Sequence, residues 1–208
     1  MSVRLGIFGG TFDPVHYGHL LLAECCLEQC ELDMVYFMPS AVPPHKTASS
    51  VASGQQRVEM LDLAIGGHTG FSICRYEVDR GGVNYTFETL AALHQQDPTR
   101  ELFFLFGGDM FYDLPNWREP QRVCALALPV AVRRAGGPPL DFSRLSSIAT
   151  AERIDEMRAH AVEMPDIGLS SSDLRARAAA GKSIRYRMPR AVEKYIENKR
   201  LYKEPRNQ

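Results

Sequence analysis

Gly6-Ile-Phe-Gly9-Gly10-Thr11-Phe12-Asp13-Pro14-Val15-His16-Tyr17-Gly18-His19 is the stretch on which the reading of this chain turns. It overlaps a mostly apolar run, Val3 to Phe8, that reads as a strand, and it leads into HYGHLLLAECCLEQC (16–30), which reads as a helix. A glycine pair between strand and helix lets backbone approach a ligand closely. The helix start that follows favours anions, because its free N–H groups and macrodipole point outward. His16 and His19 beside such a start can both hydrogen-bond a phosphate. A helix cap and a half-buried polar residue are the other roles open to them, while metal ligation lacks further ligands at suitable spacing. The stretch is neither a GxGxxG turn nor a GxxxxGK[ST] loop, which argues against a Rossmann dehydrogenase and a P-loop NTPase.

Working outward, Asp33 to Met38 is a second apolar run, closed by Pro39, and Gln55 to Ile65 has helical spacing at Val58, Leu61 and Ile65. Phe71 to Val78 reads as a third strand and Thr86 to His94 as a helix. Leu102 to Phe106 is a strand too apolar to have a solvated face, and a further strand covers about Ala127 to Arg133. Strands alternating with helices predict an α/β fold: a Rossmann-like parallel sheet with helices on both faces, plus a small C-terminal helical segment. Right-handed crossovers then line up the strand C-termini along one edge, where open sheets bind ligands. The Pro- and Gly-rich loops 39–54 and 134–139 do not separate two self-sufficient cores. One domain over 1–208 is expected, with 170–208 as a C-terminal helical phosphate-binding subregion.

With 45% hydrophobic and 24% charged residues over 208 positions, the composition is that of an ordinary globular protein with one sizeable core. No stretch approaches the roughly 20 apolar residues of a membrane span, and the opening MSVRLGIFGG has too short an apolar segment for a secretory signal. A cytoplasmic protein with no membrane partner is expected. The net charge of −1 argues against a general nucleic-acid binder. The charge is uneven, however: residues 171–208 carry 11 Lys and Arg against 4 Asp and Glu, +7, leaving −8 for the rest. Such a basic segment suits a small polyanion, or is a solvated helix face. Cys25, Cys26, Cys30, Cys74 and Cys124 form no CxxC pair and read as reduced thiols.

His16-Tyr-Gly-His19 after a Gly-Gly turn resembles the (T/H)xGH signature of the nucleotidyltransferase superfamily. Nearly end to end, the chain resembles the bacterial nicotinate-nucleotide adenylyltransferase family, through GGTFDPVHYGHL (9–20), VPPHK (42–46), NYTFETL (84–90), GGDMFYDLPNW (107–117), LSSSDLRAR (169–177), GKSIRYRMP (181–189) and AVEKYIENKRLY (191–202). The resemblance implies adenylyl transfer from ATP to nicotinate mononucleotide, with Mg²⁺ carried by the ATP phosphates and no metal held by the protein. It implies that His16 and His19 face the ATP phosphates beside a nucleotide-binding turn of Gly9, Gly10, Thr11 and Phe12. Lys46 would reach the triphosphate, and Ser172 and Arg175, the ends of an (S/T)xxR element, would hold the β and γ phosphates. Gly107 and Asp109 match the GxD element for the ribose, and Tyr85, Thr86 and Trp117 match the acceptor site.

Each residue also has an ordinary structural role open to it: a solvated loop for Lys46, a helix cap for Ser172 or Asp109, a carboxylate partner for Arg175, the core for the aromatics. Gly108, Leu169 and Arg187 depart from the residues expected at those positions. Rival readings are a same-fold adenylyltransferase acting on nicotinamide mononucleotide or pantetheine phosphate, and a non-catalytic nucleotide sensor. VPPHK, NYT and PNW favour the pyridine acceptor. Homo-oligomerisation is left open.

Overall fold

The apolar run after Ser2 forms β1 (Arg4–Gly10), and the chain then alternates: α1 (Tyr17–Gln29), β2 (Met34–Pro39), α2 (Gly54–Ile65), β3 (Phe71–Ile73), α3 (Tyr76–Arg80), α4 (Thr86–Gln96) and β4 (Glu101–Gly107). It continues through α5 (Gly108–Phe111), α6 (Pro120–Leu126), β5 (Leu128–Arg134), α7 (Ala151–Ala159), β6 (Val162–Met164), α8 (Ser171–Ala179) and α9 (Arg190–Lys199). Short 3-10 turns lie at Leu114–Asn116 and Phe142–Leu145. This is a computed structural model that describes residues 2–41 and 52–203. Among them no helix is long and apolar enough to cross a membrane.

The six strands form one parallel sheet in the order β3-β2-β1-β4-β5-β6. Strand order therefore reverses between β1 and β4, and a crevice opens at their C-terminal ends. Leu102 to Phe106 are all buried, as expected for a central strand covered on both faces. The expected Rossmann-like sheet is present. Cys26, Cys30 and Cys124 lie buried as free thiols in the core.

One expected strand is corrected. The run 71–78 keeps strand geometry only to Ile73, and Tyr76–Arg80 is a helix. β3 is an edge strand that pairs with β2 over three residues, so little holds an extended chain beyond it. The pair Arg75–Asp79 at i,i+4 and the turn at Gly81 (φ 70°) favour one helical turn instead. β6 and α7 had no counterpart in the sequence reading: a three-residue strand carries too little alternation to be seen, and α7 buries only Ile154 and Met157.

The C-terminal segment reaches back to the sheet edge. Ser170 caps α8 by accepting from Asp173 N–H. Further on, α9 packs against α2, and the Tyr195 hydroxyl donates to Glu59.

Candidate active site

The loop that follows β1 is shaped by one left-handed residue. Phe12 has φ 49° and a ring only 1% exposed, packed against Phe8, Phe37 and the His19 ring. A Cβ on Gly10 would stand 2.9 Å from that ring, so Gly10 makes room for Phe12 before it makes room for any ligand. The Phe12 side chain therefore packs under His19 in the core, which leaves the backbone as its part of the turn expected to bind a nucleotide. Thr11 is held from below, its carbonyl accepting from Arg57 Nη1 at 2.9 Å.

His16 is the N-cap of α1, in extended conformation, and its N–H donates to His19 Nδ1 at 3.3 Å. With Nδ1 accepting, a neutral His19 carries its ring proton on Nε2, as a donor. The two rings stack, 3.7 Å apart and 20° from parallel. A Cβ on Gly18 would lie 3.1 Å from the His16 ring, so the glycine of HxGH admits this stacking. Burial pushes His16 down to about 4, and burial, then the neighbouring His16, holds His19 well below the usual histidine range. Both imidazoles are therefore neutral near pH 7 until an anion approaches.

A cleft of about 500 Å³ opens at the reversal point, with His16, His19, Gly9, Gly107 and Asp109 on its wall. Asp109 stands exposed in the first turn of α5, whose N-cap is Gly107, so capping is not its role. At Gly108 a Cβ would meet Val132 O at 3.5 Å and Leu140 at 3.8 Å, ordinary contact, so the glycine is not a steric requirement there.

Ser170 and Ser171 line the cleft, whereas Ser172 and Arg175 do not. Arg175 Nη1 donates to the Asp13 carbonyl at 2.7 Å, and its Nη2 to Ser172 Oγ at 3.2 Å. The Ser171 hydroxyl donates to Pro14 O, and Tyr17 N–H donates to Arg187 O. Arg187 thus supports the start of α1 through its backbone, which leaves its side chain free to depart from the family pattern.

Tyr85, Thr86 and Trp117 do not line the cleft, and Trp117 touches one residue that does. Trp117 stands edge-on to Phe104, 5.8 Å away, and Phe104 lines the cleft. Its Nε1 donates to Asp113 at 3.2 Å. Tyr85 caps α4 with its backbone alone, so its side chain satisfies none of the first-turn N–H groups that begin at Thr86. Arg118, which sequence reasoning missed, sits over the Tyr85 ring at 4.5 Å.

Lys46 lies outside the described residues. Also missed were Asp13, Arg57 and Tyr202, all within hydrogen-bonding reach of the same loop. Asp13 and Tyr202 lay inside quoted motifs, but no local spacing relates residues 189 apart in the chain. Among the described residues no group of three or more His, Cys, Asp or Glu could hold a metal ion.

The cleft at the reversal point carries the stacked histidines and the exposed Asp109 carboxylate, and the cytidylyltransferase-like family model matches residues 7–177, which sets the class of the chain. A relative from Rhodopirellula baltica, named "Probable nicotinate-nucleotide adenylyltransferase", is 40% identical over 96% of this chain and 93% of its own. One of the same name from Thermomicrobium roseum is 41% identical over 96% and 92%. The chain belongs to the nicotinate-nucleotide adenylyltransferase family. The fold is that of the Plasmodium falciparum nicotinic acid mononucleotide adenylyltransferase complexed with NaAD, at a TM-score of 0.77 and 17% identity over 96% of this chain and 97% of that one.

Proposed function

We infer that this protein transfers the adenylyl group of ATP to nicotinate mononucleotide in NAD biosynthesis, releasing pyrophosphate and nicotinate adenine dinucleotide, and that it works in the cytoplasm. The observation that carries the reading is the stacked His16–His19 pair at the start of α1, facing a cleft shared with Gly107 and Asp109, in a chain of this family.

An oxygen of the acceptor phosphate attacks the α-phosphorus of ATP. The bond from that phosphorus to the bridging oxygen breaks, and its electron pair leaves with pyrophosphate. No protein nucleophile is needed, so catalysis consists of alignment and charge neutralisation. His19 Nε2–H donates to the phosphoryl group under attack, and His16 to a neighbouring phosphate oxygen. Gly9, Gly10 and Thr11 bring backbone to the nucleotide, and Asp109 accepts from the ribose hydroxyls. Lys46, Ser172 and Arg175 hold the β and γ phosphates, so 170–208 is the phosphate-binding part of one domain. Bound with the ATP phosphates, Mg²⁺ would supply further charge neutralisation there.

At the acceptor end Tyr85 and Trp117 offer flat surfaces to the pyridine, and N–H groups near Thr86 meet its carboxylate. An amide would set its own NH₂ against one of these donors, and such a mismatch costs roughly 10⁴-fold in kcat/KM. The test is pyrophosphate release from ATP and Mg²⁺ with nicotinate mononucleotide, nicotinamide mononucleotide or pantetheine phosphate supplied separately. A large preference for the first is expected. Comparable kcat/KM for the two pyridine nucleotides would overturn the carboxylate-specific reading, and turnover of pantetheine phosphate alone would overturn the function.

A further inference from the structure

Asp13 is fully buried, and its three acceptor oxygens are used unequally. Oδ1 accepts from the Tyr202 hydroxyl at 2.6 Å and from Ala52 N–H at 3.1 Å. The backbone carbonyl accepts from Arg175. Oδ2 has no hydrogen-bond partner among the described residues and lies 3.8 Å from Arg175 Nη1. Arg57, also buried, is engaged elsewhere, donating to the carbonyls of Thr11, Ser40, Ala41 and Ala52. One side of the carboxylate is thus pinned from the C-terminal end of the chain, and the other faces an arginine assigned to the triphosphate.

We propose that Tyr202 is a positioning residue for adenylyl transfer: its hydroxyl fixes the rotation of the Asp13 carboxylate, and Asp13 fixes where Arg175 presents its guanidinium. The proposal rests on the reading of Arg175 as a phosphate-binding group. Without the hydroxyl, Oδ1 keeps only the Ala52 N–H and the carboxylate is free to turn. A turned carboxylate closes the gap to Arg175, and the resulting ion pair competes with the phosphates for the guanidinium. Burial, with the adjacent Asp13 carboxylate, raises the Tyr202 hydroxyl far above its usual range, so it stays a donor at any working pH. The tyrosine is delivered by the turn after α9, where Arg200 and Tyr202 have φ of 53° and 62°.

Four variants test this: Y202F, R175A, the double variant, and Y195F, which removes a tyrosine hydroxyl that bonds Glu59 and not Asp13. They are assayed at a temperature where circular dichroism shows all four folded. Y202F is expected to lower kcat/KM for ATP about 10-fold while KM for nicotinate mononucleotide stays within about twofold. In the R175A background, adding Y202F should change kcat/KM for ATP by less than about twofold, because coupled residues are non-additive. Y195F should behave as the unmodified protein. Losses from Y202F and R175A that multiply overturn the inference alone, as does a Y195F loss equal to that of Y202F. R175A with unchanged ATP kinetics overturns the phosphate-site reading and this inference with it.

Discussion

The loop from Gly10 to His16 is held by several side-chain hydrogen bonds, whereas the proposed acceptor end, around Tyr85 and Trp117, is held mainly by ring packing among the described residues. Thr11, Asp13 and Pro14 accept from Arg57, Arg175 and Ser171, Asp13 also holds Tyr202, and the Phe12 ring is sealed under His19. At the other end, Tyr85 and Trp117 are half-buried, Arg118 is exposed, and ring contacts with one Asp113 hydrogen bond are the main restraints. The contrast teaches where precision is required. In-line transfer at phosphorus depends on groups held within a fraction of an ångström. Recognition of a flat ring tolerates surfaces that adjust. Substitutions at the first end should therefore act on kcat, and at the second on KM for the acceptor.

The largest effect is expected from His19→Ala, a fall in kcat of at least ~100-fold, the lower range for a positioned electrostatic or acid–base group. ATP affinity, followed by titration calorimetry, should change far less. A near-normal kcat would remove His19 from the chemistry and erase the contrast. Trp117→Ala should raise KM for nicotinate mononucleotide about 10-fold through the lost ring surface, with kcat changed little. A fall in kcat as deep as that of His19→Ala would show that the acceptor end is not adjustable.

A smaller and purely structural effect concerns pH. Between the unfolded value near 6.5 and the folded value of about 4, the unfolded chain takes up a proton that folded His16 does not. Stability therefore falls as pH drops through that window, by up to ~3 kcal/mol from this group. His16→Asn keeps an N-capping residue without the titration. Its thermal midpoint should fall less steeply than that of the unmodified protein between pH 6.5 and 4. Equal slopes would mean that His16 is not held neutral by its surroundings.

Order along the chain was enough to determine the sheet class and the local histidine turn. Five runs, from Val3–Phe8 to Ala127–Arg133, carry the apolarity of strands, and four extend through the buried sheet as expected. The departure at Tyr76–Arg80 came where the sheet ends, because an edge strand has a neighbour on one side only and local helix contacts decide. His16 and His19 were legible because i to i+3 on a helix start is a local relation. Other decisions belonged to the tertiary structure alone. Gly10 and Gly18 are glycines because rings fold over them, and Phe12 supports the site from the core. Arg175 is anchored on Asp13, and Tyr202 closes on the same carboxylate from the far end of the chain. Hydrogen bonds of that range leave no period in a sequence. They exist only once burial has removed water and left each polar atom to find its partner within the fold.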